Sequence, residues 1–187
     1  MRKFLTLLWL LFPVGVIYYH FNAGDAQLAR EKARDHLVQI RALERVKEPD
    51  WITIVEEYNK LSAELPTDER PSVRHQIRLA KAKARIEMLD VAGAITDLTQ
   101  LLLESAAVDG EDGSTTRAIR ETLGKAYFYG TSLLKANGAT EEEWRPYAER
   151  TRQVFRYLAE HQDPAALADY ERRVQAEFNR SARLNNL

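Results

Sequence analysis

The sequence predicts an all-α protein in which antiparallel helical hairpins stack in a row behind an N-terminal membrane helix. Three observations predict it. From Asp25 onward, apolar residues recur at spacings of three and four, without the clean alternation of a half-buried strand. Glycines and prolines fall almost entirely between these periodic segments, where they stop helices and open turns. Residues 4–19, FLTLLWLLFPVGVIYY, carry no charge. With 187 residues in all, the expected division is a signal anchor or transmembrane segment at 1–24 and one helical domain at 25–187, long enough to build a single core.

The uncharged run has sixteen residues, between the roughly 7–15 of a secretory signal and the roughly 20 of a spanning helix. Tyr18 and Tyr19 at its end with His20 and Phe21 after it form an aromatic cluster suited to a membrane interface, and the passable small-x-small cleavage pair is Gly24 with Ala26. The segment reads as an uncleaved anchor contacting membrane through residues 4–21, with a cleaved signal as the alternative. Pro13 and Gly15 would loosen this helix, which lipid tolerates better than water does. Arg2 and Lys3 are the charges before the run, so the positive-inside rule keeps the N-terminus cytoplasmic. The expected location is a single-pass protein of the bacterial inner membrane, with its body facing the periplasm or exterior.

Seven helices are expected in the body. The first, about 26–47, has Ala29, Ala33, Leu37, Ile40, Leu43 and Val46 as its stripe and ends before Pro49. Asp50 caps the second, 51–64, which carries Trp51, Ile54, Val55, Tyr58 and Leu61 and stops at Pro66. Pro71 opens the third, with Val73, Ile77, Ala80, Ala84 and Met88 on one face. A turn at Asp90 to Gly93 leads into the fourth, with Ile95, Leu98, Leu101 and Leu102, followed by a loop over 104–114. The fifth spans about 115–136, with Ile119, Leu123, Tyr127, Leu133 and Leu134, and stops at Asn137-Gly138. Thr140 and Glu143 form a capping box for the sixth, which buries Trp144, Tyr147, Phe155 and Leu158 and reaches about 160. Asp163-Pro164 starts a seventh with Leu167, Tyr170, Val174 and Phe178. Short connections between amphipathic helices imply antiparallel neighbours.

Three fragments resemble the tetratricopeptide repeat, whose pattern opens W-x2-L-G-x2-Y. Leu123, Gly124 and Tyr127 supply L-G-x2-Y within LGKAYFYG. Trp51, Ile54, Val55 and Tyr58 give W-x2-I-V-x2-Y, with Val in place of the small residue, and LDVAGAITDL is similar to the turn and second-helix opening, with Ala94 at the packing alanine. Helix starts near 26, 71 and 115 give a period of about 45 against the family's roughly 34, so the hairpins are longer or degenerate. The resemblance implies a right-handed solenoid of helix pairs whose concave surface binds a protein or peptide. Its groove positions fall on Gln76, Lys83, Glu121, Lys125 and Phe128. Tyr127, Phe128 and Tyr129 cannot all face one core stripe, so at least one must meet a groove or a neighbouring chain.

The residues offer little chemistry beyond this. A formal charge of −1 with 29% charged residues gives no basic field for nucleic acid, so none is expected as a partner. The absence of Cys removes disulfides, thiolate zinc sites and a Cys nucleophile. His20, His36, His75 and His161 are scattered without the spacing of a helical metal pair. Asp109, Glu111 and Asp112 invite a calcium reading, but Gly113 takes the third ligand position and Arg120 stands where the bidentate Glu belongs, so a solvated acidic loop is expected. Arg70, Arg74, Arg78, Lys81 and Arg85 align as a basic ridge, read as a solvated face with intrahelical or neighbouring pairs such as Arg78 with its acidic surroundings, and with docking to an acidic partner or to lipid headgroups as the alternative. No nucleophile or nucleotide motif occurs, so no enzymatic activity, cofactor, metal or small-molecule substrate is expected. The leading expectation is a membrane-anchored helical scaffold for a protein or peptide outside the cytoplasm. The alternative is a structural subunit of a larger membrane assembly that makes its contacts through the anchor and first helix.

Overall fold

The computed structural model describes residues 27–66, 68–161 and 172, and among them every regular element is an α-helix. The expected membrane segment, the 1–24 boundary and the seventh helix lie outside the described residues, apart from Arg172. The described helices are α1 (27–44), α2 (Trp51–Glu64), α3 (Pro71–Glu87), α4 (Val91–Asp109), α5 (Ser114–Ala136) and α6 (Glu141–His161). The chain divides into two compact units, 1–74 and 75–187, with the division inside α3.

In the first unit, α2 begins where Asp50 accepts hydrogen bonds from the backbone N–H groups of Ile52 and Thr53, at 3.1 and 3.3 Å. Thr53 adds its hydroxyl at 2.7 Å. These bonds hold the Asp50 carboxyl below its ordinary range, the Thr53 hydroxyl first among them. The buried apolar residues are Ala33 and Ile40 of α1 with Ile54, Val55, Tyr58 and Leu61 of α2, on the expected stripes. Tyr58 donates to Glu44 at 3.1 Å; burial, then the Glu44 charge, push its phenol well above the usual range.

The second unit is held by a core drawn from three helices: Leu79, Ala82 and Ile86 of α3, Val91, Ala94, Leu98 and Leu101 of α4, and Ile119, Leu123 and Ala126 of α5. The expected face of α3 caught Ile77 and Ala84 and missed the Leu79–Ala82–Ile86 stripe, because this helix buries two faces. Its C-terminus closes as a Schellman turn: Asp90 N–H donates to Arg85 O, and Leu89 N–H to Ile86 O, both at 2.9 Å. Leu89 holds the left-handed position at φ +66°, which usually falls to glycine.

α4 is longer than expected. Residues 104–109 belong to the helix and not to the expected loop, since no breaker intervenes before Gly110, at φ +78°, and the buried Ser105 hydroxyl meets Thr116 of α5 at 2.5 Å. By length and composition alone, α4 is long and apolar enough to cross a membrane; here it contributes four residues to the core. α5 buries more than one stripe and keeps an exposed one through Arg117, Glu121, Lys125 and Tyr129. One side meets α4, and the other meets α6 through two glycines. A methyl group on Gly124 would lie 2.6 Å from the Phe155 ring, and one on Gly130 would lie 2.8 Å from Tyr147. α6 starts with the expected capping box, in which Thr140 N–H donates to Glu143 at 2.8 Å and the Thr140 hydroxyl at 3.0 Å.

Candidate functional site

Four of the five expected groove residues are exposed: Gln76 and Lys83 on α3, and Glu121 and Lys125 on α5. Glu121 and Lys125 pair one turn apart at 2.5 Å, and among the described residues this is the contact that joins members of the set. Phe128 is different. It is buried at 8% exposure, and of the three consecutive aromatics it is Tyr129 that reaches solvent, at 42%. Tyr127 packs edge-on to Tyr147 of α6, with ring centroids 6.0 Å apart. The physical reason is that α5 packs against both α4 and α6, so its buried face is wider than one stripe and takes in Phe128.

The basic ridge is corrected in its exposure, while the expected pair from Arg78 is present. Arg74, Arg78, Lys81 and Arg85 are half-buried, not a solvated face. Arg74 donates to the carbonyl oxygens of Pro66 and Glu69. Arg78 pairs with Glu104, and Arg85 bridges Asp90, through Nε at 2.7 Å, and Asp97, through Nη1 at 2.5 Å. Burial opposes the charge of the Arg85 guanidinium, but the bonds to Asp90 and Asp97 prevail and hold its pKa above the usual value. Gly93 leaves space for this guanidinium, since an added methyl group would come within 2.0 Å of Nη2. A signal for this was in the sequence: Arg78 and Arg85 are seven apart on α3, Asp97 and Glu104 seven apart on α4, and a short antiparallel turn brings the two spacings into register.

The acidic loop shrinks to residues 110–113, and its Glu111 is engaged by Arg120, which bonds both the Glu111 carbonyl and its carboxylate. The residue standing where a calcium ligand would be needed is thus the counter-ion of the loop. The Arg120 guanidinium also lies over the Tyr157 ring at 4.2 Å, and Tyr157 stacks on His161 at the same distance. Among the described residues no group of three or more His, Asp or Glu side chains is placed to hold a metal ion.

Sequence reasoning missed a polar cluster on the α1–α2 seam. His36 Nδ1 lies 2.8 Å from Glu57 Oε2 and His36 Nε2 lies 3.2 Å from Glu64 Oε2, while Lys60 reaches Glu57 Oε1 at 2.6 Å. The Lys60 and His36 contacts, in that order, hold the buried Glu57 carboxyl below its ordinary range. Spacing of the acidic residues by seven on α2 was its faint signature, readable only once His36 is known to face them. Comparison of the chain with family models, curated proteins and solved structures gives no match.

Proposed function

We propose that this chain is a non-enzymatic, membrane-anchored scaffold whose helical hairpins bind a protein or peptide on the non-cytoplasmic side of the membrane. The observation that carries this reading is the exposure of Gln76 and Lys83 on α3 and of Glu121 and Lys125 on α5, two helices that share one core. Such polar positions on alternate helices suit side-chain recognition of a segment laid across a stack. The uncharged run at 4–19 supports anchoring, and Arg2 and Lys3 support export of the body.

A structural-subunit reading has its own observation. Leu28 and Val38 of α1 are 52% and 62% exposed, and their spacing puts them within about a quarter turn of each other around the helix. Photo-crosslinking in intact membranes separates the two readings, with the reactive side chain placed at Lys125 in one variant and at Val38 in another. A partner trapped from Lys125 and weakened at least fivefold by Lys83→Glu supports the scaffold. A partner trapped only from Val38 transfers the function to α1. Phe128→Ala reports on folding in either case.

A further inference from the structure

Asn137-Gly138, where α5 ends, is the sole Asn-Gly pair of the chain, and both residues are exposed. Such a pair carries a latent reaction, because glycine has no Cβ to crowd its backbone nitrogen. That nitrogen can form a bond to the asparagine Cγ while the Cγ–Nδ2 bond breaks, and its proton leaves with the amide as ammonia. The product is a five-membered imide. Water then opens the imide at either carbonyl carbon, its hydroxyl going to carbon and its proton to nitrogen. One opening gives aspartate; the other gives isoaspartate, in which the main chain runs through Cγ.

The corner between α5 and α6 holds this pair in a geometry that does not react. Ring closure needs the Gly138 nitrogen eclipsed with Cβ about the Asn137 Cα–C bond, but ψ of Asn137 is 8°, which turns the two far apart. Gly138 N–H donates to Lys135 O at 3.1 Å and Ala139 N–H to Leu134 O at 3.0 Å, so the required rotation of ψ breaks both bonds. Two further contacts brace the corner. Lys135 Nζ of α5 lies 3.8 Å over the Trp144 ring of α6, and Glu143 accepts twice from Thr140.

We propose that Asn137-Gly138 is a self-modification site, latent while the α5–α6 corner is closed and converted to aspartate or isoaspartate when the corner opens. The inference is independent of any partner. The conversion runs one way. Isoaspartate lengthens the main chain by one carbon inside the turn, and either product sets a carboxylate at the negative end of the α5 dipole. Both effects oppose reclosing of the corner that aligns α6, whose Tyr147 and Phe155 seat on Gly130 and Gly124.

The test follows residue 137 by peptide mapping and mass spectrometry in the full chain in detergent micelles at mildly alkaline pH, folded or unfolded in urea. Asp109-Gly110 and Asp112-Gly113 cyclise with loss of water and return the same mass, so the amide-to-carboxyl mass change is read at Asn137. In urea, Asn137 is expected to convert faster than every other asparagine. In the folded chain its conversion is expected to be about thirtyfold slower, the effect of two net hydrogen bonds. Trp144→Ala, which removes the Lys135 contact, is expected to raise the folded-state rate about threefold and leave the rate in urea unchanged. Glu143→Ala, at an exposed residue, is expected to raise it about fivefold by loss of the capping box, and serves if Trp144→Ala fails to fold. Equal rates in the folded and unfolded chain, no conversion in urea, or an unchanged folded-state rate in Glu143→Ala overturns the proposal.

Discussion

Leu89 occupies after α3 the position that Gly138 occupies after α5. Both turns carry the same pair of hydrogen bonds, with Gly138 N–H reaching Lys135 O at 3.1 Å and Ala139 N–H reaching Leu134 O at 3.0 Å. Gly138 takes φ +75° without strain, while Leu89 takes φ +66° at a cost of about 1–2 kcal/mol and leaves its side chain 67% exposed. Leu89→Gly therefore relieves strain and forfeits little burial. After the entropic cost of a glycine it is expected to stabilise by about 0.5–1 kcal/mol, seen as a higher midpoint in thermal unfolding. Gly124 predicts the opposite sign. Alanine there gains about 1 kcal/mol of helix propensity, but its methyl group meets Phe155 at 2.6 Å and Val154 at 3.0 Å in a closed interior. Overpacking costs about 1–3 kcal/mol, so Gly124→Ala is expected to lower the midpoint in the same assay.

At the scale of elements, the α3–α4 seam and the surface pair on α5 make a controlled comparison. Arg85 is 24% exposed and serves two carboxylates, whereas Lys125 is 51% exposed and serves one. Arg85→Ala is expected to cost about 1.5–3 kcal/mol and Lys125→Ala under about 0.5 kcal/mol, measured by denaturant unfolding. Acid acts on the α1–α2 seam through Glu57. Because its folded pKa is depressed, its contribution is present above the ordinary glutamate value and is lost as pH falls through the folded one. Wild type is therefore expected to lose more stability than Glu57→Gln between about pH 5 and pH 3. Helix positions were largely legible, since Asp50, Pro71, Asn137-Gly138 and the Thr140–Glu143 box are local signals that need no tertiary knowledge. The length of α4, the fate of the basic ridge and the burial of Phe128 were not, because each depends on what a neighbouring helix presents.

At the scale of the molecule, each pair of successive described helices in the second unit adds a different chemistry to the apolar core. α3 meets α4 through arginine and carboxylate at matched seven-residue spacings, α4 meets α5 through a buried pair of hydroxyls, and α5 meets α6 through aromatic rings seated against glycines. The candidate surface was legible only as polar positions on α3 and α5, because exposure depends on the neighbouring helices and not on one helix alone. In a true repeat array any hairpin could be copied and inserted, since every junction is the same. Here a second copy of α3–α4 placed after α6 would carry its own arginine–carboxylate pairs but would part the copied Ser105 from Thr116, and a second α6 would find no glycine to receive Phe155. The junctions work like keyed fittings, each accepting one neighbour, so the described helices resist lengthening by duplication.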